Sequence, residues 1–185
     1  MLIQITSFLL EIAASLLASA CLLRLYMQYQ KLPFGNPVGQ FVFALTNWLV
    51  LPLRRLLPAV GRWDTASAVA AYALVWVKLL LLSLLVSGFA VNPLWLSLGA
   101  VFALLRLAIS ALTGLLIVYA IASWLRSDSP MIDLLERLCA PLLRPLRRVM
   151  PLVGGIDLSP LVLLVLLQVL TIVLAHLQAS VIGLL

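Results

Sequence analysis

In a chain this apolar, chemistry has to come from few side chains. Four ionisable residues fall within long apolar stretches: Glu11, Lys78, Arg106 and His176. A charge at the centre of a bilayer costs roughly 2.5–3.5 kcal/mol on insertion scales, so each of these residues needs a partner or a role. Counting about 1.5 Å per helical residue places Glu11, Lys78 and Arg106 at similar depth in the outer half of the membrane, with His176 somewhat shallower. One carboxylate level with two cations predicts a structural ion pair from Glu11 to Lys78, to Arg106 or to both. The competing readings are a polar path for an ion or proton, and snorkelling of the long side chains to the interface. The surplus positive charge would suit an anion or a proton better than a metal cation. His176 is the only histidine and is read as a packed helix residue. There is no metal-ligand cluster, no phosphate loop, no Ser-His-Asp grouping and no C-x-x-C-H haem attachment. Neither catalysis nor a cofactor is expected.

A second set of charges lies between the apolar stretches. The run Pro52-Leu53-Arg54-Arg55-Leu56-Leu57-Pro58 is matched by Pro145-Leu146-Arg147-Arg148-Val149-Met150-Pro151. Proline breaks helices, so each run is expected to be a short stiff element of about one and a half turns. Arg54, Arg55, Arg147 and Arg148 are expected at the membrane surface, where each basic residue near anionic headgroups is worth about 1 kcal/mol. They serve there as plain topological anchors, or they bind anionic lipid or a partner's acidic loop. Asp64 and Asp157 directly precede apolar helices and are expected to cap them, or to pair with these arginines.

These residues need elements to hold them. The chain has 185 residues, 65% hydrophobic and 10% charged, against about a quarter charged in a soluble domain. Apolar stretches at roughly 1–23, 66–91, 94–125 and 158–185 each exceed the roughly 20 residues that cross a bilayer. The expected fold is an all-α membrane protein with four transmembrane helices. Ten of the twelve Lys and Arg residues form two clusters, Arg24, Lys31, Arg54, Arg55 and Arg62, then Arg126, Arg137, Arg144, Arg147 and Arg148. They flank alternate apolar stretches, as the positive-inside rule requires, so the net charge of +6 points to a membrane surface and not to nucleic acid. Both basic loops are expected in the cytoplasm and both termini outside. The first stretch is not read as a signal peptide, because its basic residue follows the apolar run. Cys21 and Cys139 are read as free packing thiols.

Shifted by 93 residues, the sequence overlays on itself: 11 of 28 positions agree between 37–64 and 130–157, including the prolines, both arginines, Gly61/Gly154 and Asp64/Asp157. The repeats are expected at 1–92 and 93–185, parallel because each crosses the membrane twice. Asn36-Pro37 and Ser129-Pro130 open each basic segment as a helix cap followed by a first-turn proline. The apolar faces behind them are expected to be Val38, Phe41, Val42, Leu45 and Leu49, then Met131, Leu134, Leu135, Leu138 and Leu142. The opposite face carries Asp133, Glu136 and Arg137 in the second copy, which suits an amphipathic helix lying on the cytoplasmic surface. For 37–51 and 130–143 the pattern leaves surface-lying and re-entrant placements both open.

The chain resembles the YggT family of bacterial membrane proteins and its YlmG and plastid relatives. The resemblance is carried by Arg24-x-Tyr26-x-Gln28, Asn36-Pro37-x-x-Gln40, Thr46, the two Pro-Leu-Arg-Arg-x-x-Pro runs, Gly61-x-x-Asp64 and Gly154-Gly155-Ile156-Asp157. Trp63 stands where the second copy has Ile156. The resemblance implies a two-repeat inner-membrane protein, associated with osmotic tolerance, cell division or, in plastids, maturation of a b-type cytochrome. It brings no catalytic residues. The leading expectation is a non-catalytic scaffold or assembly factor whose partners are anionic lipids, membrane proteins and further copies of itself in a homo-oligomer. The alternative is an ion or proton transport component in osmotic response.

Overall fold

The computed structural model describes residues 1–58, 61–87, 92–124, 130–149 and 157–183. Six helices follow in order: α1 (Leu2–Tyr29), α2 (Pro37–Leu56), α3 (Thr65–Ser87), α4 (Pro93–Trp124), α5 (Pro130–Val149) and α6 (Ser159–Gly183). No strand occurs among the described residues. Four segments are long and apolar enough to cross a membrane: Ile3–Tyr29, Thr65–Leu85, Pro93–Ser123 and Ser159–Val181. The protein is an all-helical, multi-pass membrane protein. Phe8, Leu9, Leu105, Val118, Val165 and Leu170 are exposed on these helices, which lipid tolerates because its tails are as apolar as leucine.

The ends of the helices follow local chemistry. α1 stops where Lys31 takes a left-handed backbone, φ 56°. Lys31 N–H then donates to the Gln28 carbonyl and Leu32 N–H to the Met27 carbonyl, each at 3.0 Å. That pair of hydrogen bonds is the Schellman closure of a helix end. α2 begins with Asn36, whose Oδ1 accepts from Gly39 N–H at 2.7 Å, and with Pro37 in the first turn. A β-carbon on Gly39 would lie 2.6 Å from the Phe34 carbonyl oxygen, so this tight entry needs glycine. Phe34 stacks on Phe43, ring centroids 4.5 Å apart. Ser129, the expected cap of α5, lies outside the described residues, as do Pro151 and the Gly154-Gly155-Ile156 run.

The prolines correct one expectation. The first proline of each run does not break its helix: α2 runs through Pro52, and α5 through Pro145 and also Pro141, whereas Pro58 does follow the end of α2. All three lie on exposed positions, where the lost N–H bond and the bend can be absorbed without opening a packed face. The arginine runs are therefore the last turns of longer helices. The inward faces also differ in part. α2 buries Gly39, Val42, Thr46 and Val50 while Phe41 stays exposed, and α5 buries Leu134, Leu135, Leu138, Cys139 and Leu143 while Met131 stays exposed. In α2 the reason is polar. The buried line is the one that turns Thr46 toward α1.

The chain packs as two compact units, Met1–Ala108 and Ile109–Leu185, and the boundary falls within α4. This division is one of packing and is distinct from the sequence repeat at 92/93. In the first unit α1 lies against α3 through small residues. Cys21, Val50, Ala66, Ala70 and Ala71 form one buried cluster, and Ala18, Val75 and Ala100 another. Small side chains let helix backbones approach closely, which is how transmembrane helices gain contact energy without a hydrophobic drive between them. The second unit packs α5 on α6. Both cysteines are buried free thiols, and burial pushes the Cys139 thiol up to about 11.

Candidate functional site

The polar residues of the first unit gather at one end of its helices. α1 contributes Arg24 and Gln28 from its last turns, α2 contributes Thr46, Asn47 and Arg54, and α3 contributes Asp64 and Ser67 at its start. Asp64 is the hub and is fully buried. Its Oδ2 accepts from Arg54 Nη2 at 2.6 Å and from Ser67 Oγ at 2.6 Å, and Arg24 Nε stands 3.8 Å from the same oxygen. Arg54 Nη2 also donates to Gln28 Oε1 at 2.7 Å. The net effect ties the end of α2 to both α1 and α3.

Arg24 is 2% exposed. Its Nη1 donates to Thr46 Oγ1 and Asn47 Oδ1, both at 2.8 Å, and the guanidinium lies 4.7 Å over the Phe43 ring. Thr46 Oγ1 passes a hydrogen bond on to the Val42 carbonyl at 2.7 Å. Such a cation is held by geometry and not by water, since an unpaired buried charge would be prohibitive. Burial pushes the Asp64 carboxyl up, but hydrogen bonds from Arg54 and Ser67 outweigh it and hold it below the ordinary carboxylate value.

The second unit repeats the central contact. Arg147 Nε donates to Asp157 Oδ2 at 2.8 Å, its Nη2 donates to Tyr119 Oη at 2.9 Å, and its Nη1 is 3.9 Å from Glu136 Oε1. Asp157 Oδ1 accepts from Ser159 N–H at 2.9 Å at the start of α6. Burial raises the Asp157 carboxyl, and the Ser159 and Arg147 hydrogen bonds more than reverse it. Asp64 and Asp157 thus serve both as helix-start acceptors and as arginine partners. Arg55 and Arg148 are exposed and make no ion pair among the described residues.

The residues within the spans separate. Glu11 Oε1 lies 3.9 Å from Lys78 Nζ, with Glu11 65% exposed. Arg106 lies midway along α4. Leu104 and Leu107, on either side of it in α4, pack against the cluster of Ala18, Val75 and Ala100. His176 is exposed on α6, its ring Nδ1 2.9 Å from the Ile172 carbonyl. No group of three or more His, Cys, Asp or Glu that could hold a metal comes together among the described residues. A groove of about 340 Å³ runs beside α3, lined by Tyr72, Ala73, Trp76, Val77 and Ser97.

Sequence reasoning missed the buried role of Arg24, Thr46, Asn47 and Tyr119. One signal was present: Thr46 sits four residues from both Val42 and Val50, on their face of the helix. A polar residue in that line requires a partner.

The CCB3/YggT family model matches residues 3–85 and 98–178. The chain is similar to a protein of Escherichia coli described as uncharacterized protein YggT, 38% identical over 176 residues, covering 94% of this chain and 92% of that one. It is also similar to an uncharacterized protein in the proC 3' region of Vibrio alginolyticus, 35% identical over 88% of this chain and 89% of the relative. A third relative, an uncharacterized protein of Haemophilus influenzae, is 32% identical over 81% of this chain and 80% of its own length. No solved structure matches.

Proposed function

The chain belongs to the CCB3/YggT family, and from that premise we propose that it is a non-catalytic scaffold or assembly factor of the bacterial inner membrane. It presents its Pro-Leu-Arg-Arg elements to anionic lipids or to the acidic loops of membrane partners, in processes such as osmotic tolerance or cell division. Both termini lie outside and both arginine elements lie on the cytoplasmic side.

One observation carries this reading. In each half the first arginine of the pair, Arg54 or Arg147, is committed to an internal aspartate. The second, Arg55 or Arg148, is left exposed. The internal pair fixes the helix end, and the fixed end holds the outer arginine in place at a surface where anionic headgroups gather. A conduction role has less support. Between the Glu11–Lys78 pair and the Arg24–Asp64 cluster, the first unit is filled by Ala18, Cys21, Ala70, Ala71 and Val75, an apolar layer where an ion path needs polar lining.

The test is purification in native-lipid particles, with mass spectrometry of the lipids and proteins that remain bound. Replacing Arg55 and Arg148 together with glutamine should lower recovery of anionic lipid or of a specific membrane partner. Unchanged recovery of both leaves the arginines as topological anchors only, and the scaffold reading fails.

A further inference from the structure

The two polar clusters differ in charge although matching positions stand 93 residues apart. In the first, two guanidiniums, Arg24 and Arg54, share the single carboxylate of Asp64. In the second, Ile117 stands in place of Arg24 and Glu136 in place of Phe43, so Arg147 faces two carboxylates, Asp157 and Glu136. Two cations and one anion leave the first cluster at +1. One cation and two anions leave the second at −1. The first surplus is not relieved by water, because Arg24 is buried and its Nε has no hydrogen-bond partner among the described residues.

The surplus reaches the surface at Arg54, which is 36% exposed. Its Nε and Nη2 are spent on Asp64 and Gln28, while Nη1 has no acceptor among the described residues. The chain neighbours of those two partners, Tyr29 beside Gln28 and Trp63 beside Asp64, pair with ring centroids 5.0 Å apart, and both are exposed. Tyr and Trp favour the level of lipid headgroups, with the ring in the apolar layer and the polar tip in the wet one. Arg62, next to Trp63, is exposed too. The second copy has Ala122 for Tyr29, Gly155 for Arg62 and Ile156 for Trp63. It lacks the aromatic pair and the buried surplus, and its own further exposed cation, Arg144, stands on α5 where the first copy has Leu51.

We propose that the first cluster, and not the second, is a binding site for the phosphate of an anionic phospholipid. Arg54, Arg55 and Arg62 supply guanidinium donors to the phosphodiester oxygens, a geometry that suits arginine. Tyr29 and Trp63 flank the glycerol region, and Arg24 holds the site electropositive from behind. This rests on the proposed role of the arginine elements toward headgroups, and narrows it to one copy and one ligand class. The lipid is favoured over a soluble phosphate by the aromatic pair, which free phosphate would not use.

The full chain, stripped of lipid in detergent, should be titrated with phosphatidylglycerol and with phosphatidylcholine, and bound lipid counted by native mass spectrometry. The unaltered protein should retain phosphatidylglycerol in preference. Tyr29→Ala with Trp63→Ile, and separately Arg55→Gln with Arg62→Gln, should each weaken that binding by roughly fivefold or more, the size of one lost headgroup contact. These side chains are exposed, so the fold should survive, and an unchanged unfolding temperature checks it. Arg144→Gln with Arg148→Gln should change the binding less than about twofold. Equal losses from the two arginine pairs, one in each copy, overturn the asymmetry while sparing the general reading. No loss from either overturns both. Displacement of the lipid by millimolar inorganic phosphate overturns the lipid as ligand.

Discussion

Arg54 and Asp64 stand 2.6 Å apart across ten residues of sequence, and Arg147 and Asp157 repeat the interval at 2.8 Å. The same contact is built into two different surroundings. The first aspartate is fully buried and shared by two arginines, whereas the second is 31% exposed. Burial decides what each pair is worth.

Asp64→Asn should destabilise the protein by about 3–5 kcal/mol, because it leaves the buried Arg24 and the half-buried Arg54 without their anion. Asp157→Asn should cost about 1 kcal/mol, since solvent screens that pair. Thermal unfolding in one detergent, followed by helical circular dichroism, compares them. Equal losses, or a larger loss at Asp157, would show that the buried hub does not organise the first unit.

Acid should act through the same carboxylates. The folded-state pKa of Asp64 lies below its ordinary 3.8, so its stabilisation is fully present above that value. It is lost as pH falls through the depressed folded value. Asp157, also depressed, moves in the same direction. The unfolding temperature should hold steady from neutral pH down to about 5 and drop below about 4. In Asp64→Asn that acid drop should be shallower, because one of the two groups is gone. An identical drop in both proteins would assign it to other carboxylates.

Much of the scaffold was legible in the sequence. The four apolar stretches exceed a bilayer's thickness in any arrangement, and the 93-residue offset placed Arg54 and Asp64 opposite Arg147 and Asp157. The failures have physical causes. Pro52 reads locally as a helix break, yet it lies on an exposed face where α2 can bend and continue. Arg24 reads as one more surface cation, because nothing in its own stretch reveals that Thr46 and Asn47 will meet it from 22 and 23 residues away.

Lys31 is the only non-glycine residue with positive φ among the described residues. A left-handed backbone costs an ordinary residue about 1–2 kcal/mol, and glycine gives back part of that relief as chain entropy in the unfolded state. Lys31→Gly should therefore stabilise the protein by roughly 0.5–1 kcal/mol. A lower unfolding temperature would mean that the Lys31 side chain contributes more than its backbone costs.

The proposed orientation is open to a direct check. A cysteine introduced at Gly35, an exposed position between α1 and α2, should resist a membrane-impermeant maleimide in intact spheroplasts and react after lysis. One at Asn92, exposed before α4, should react in both. Cys21 and Cys139 are buried and should give little background. Reaction at position 35 from outside would invert the topology and place the arginine elements on the opposite face.

The Glu11–Lys78 pair separates a structural role from a conducting one. Its 3.9 Å separation and the exposure of Glu11 make it looser than the Asp64 cluster. Loss of either charge within a span still leaves the other without compensation in a medium that penalises it by roughly 2.5–3.5 kcal/mol at the centre. Lys78 can relieve part of this by extending its stem toward the interface. Glu11→Gln should then destabilise the protein by about 1–2 kcal/mol, less than Asp64→Asn. Lys78→Met should cost a similar amount. The double variant should recover part of both losses, because the pair is then removed as a unit and a double-mutant cycle reports the coupling. Unfolding temperatures of the four proteins in one detergent measure it. Strictly additive losses would mean that the two charges do not interact. If Glu11→Gln proves as stable as the unaltered chain yet abolishes an ion or proton flux in reconstituted vesicles, the pair belongs to a transport path and the scaffold reading gives way.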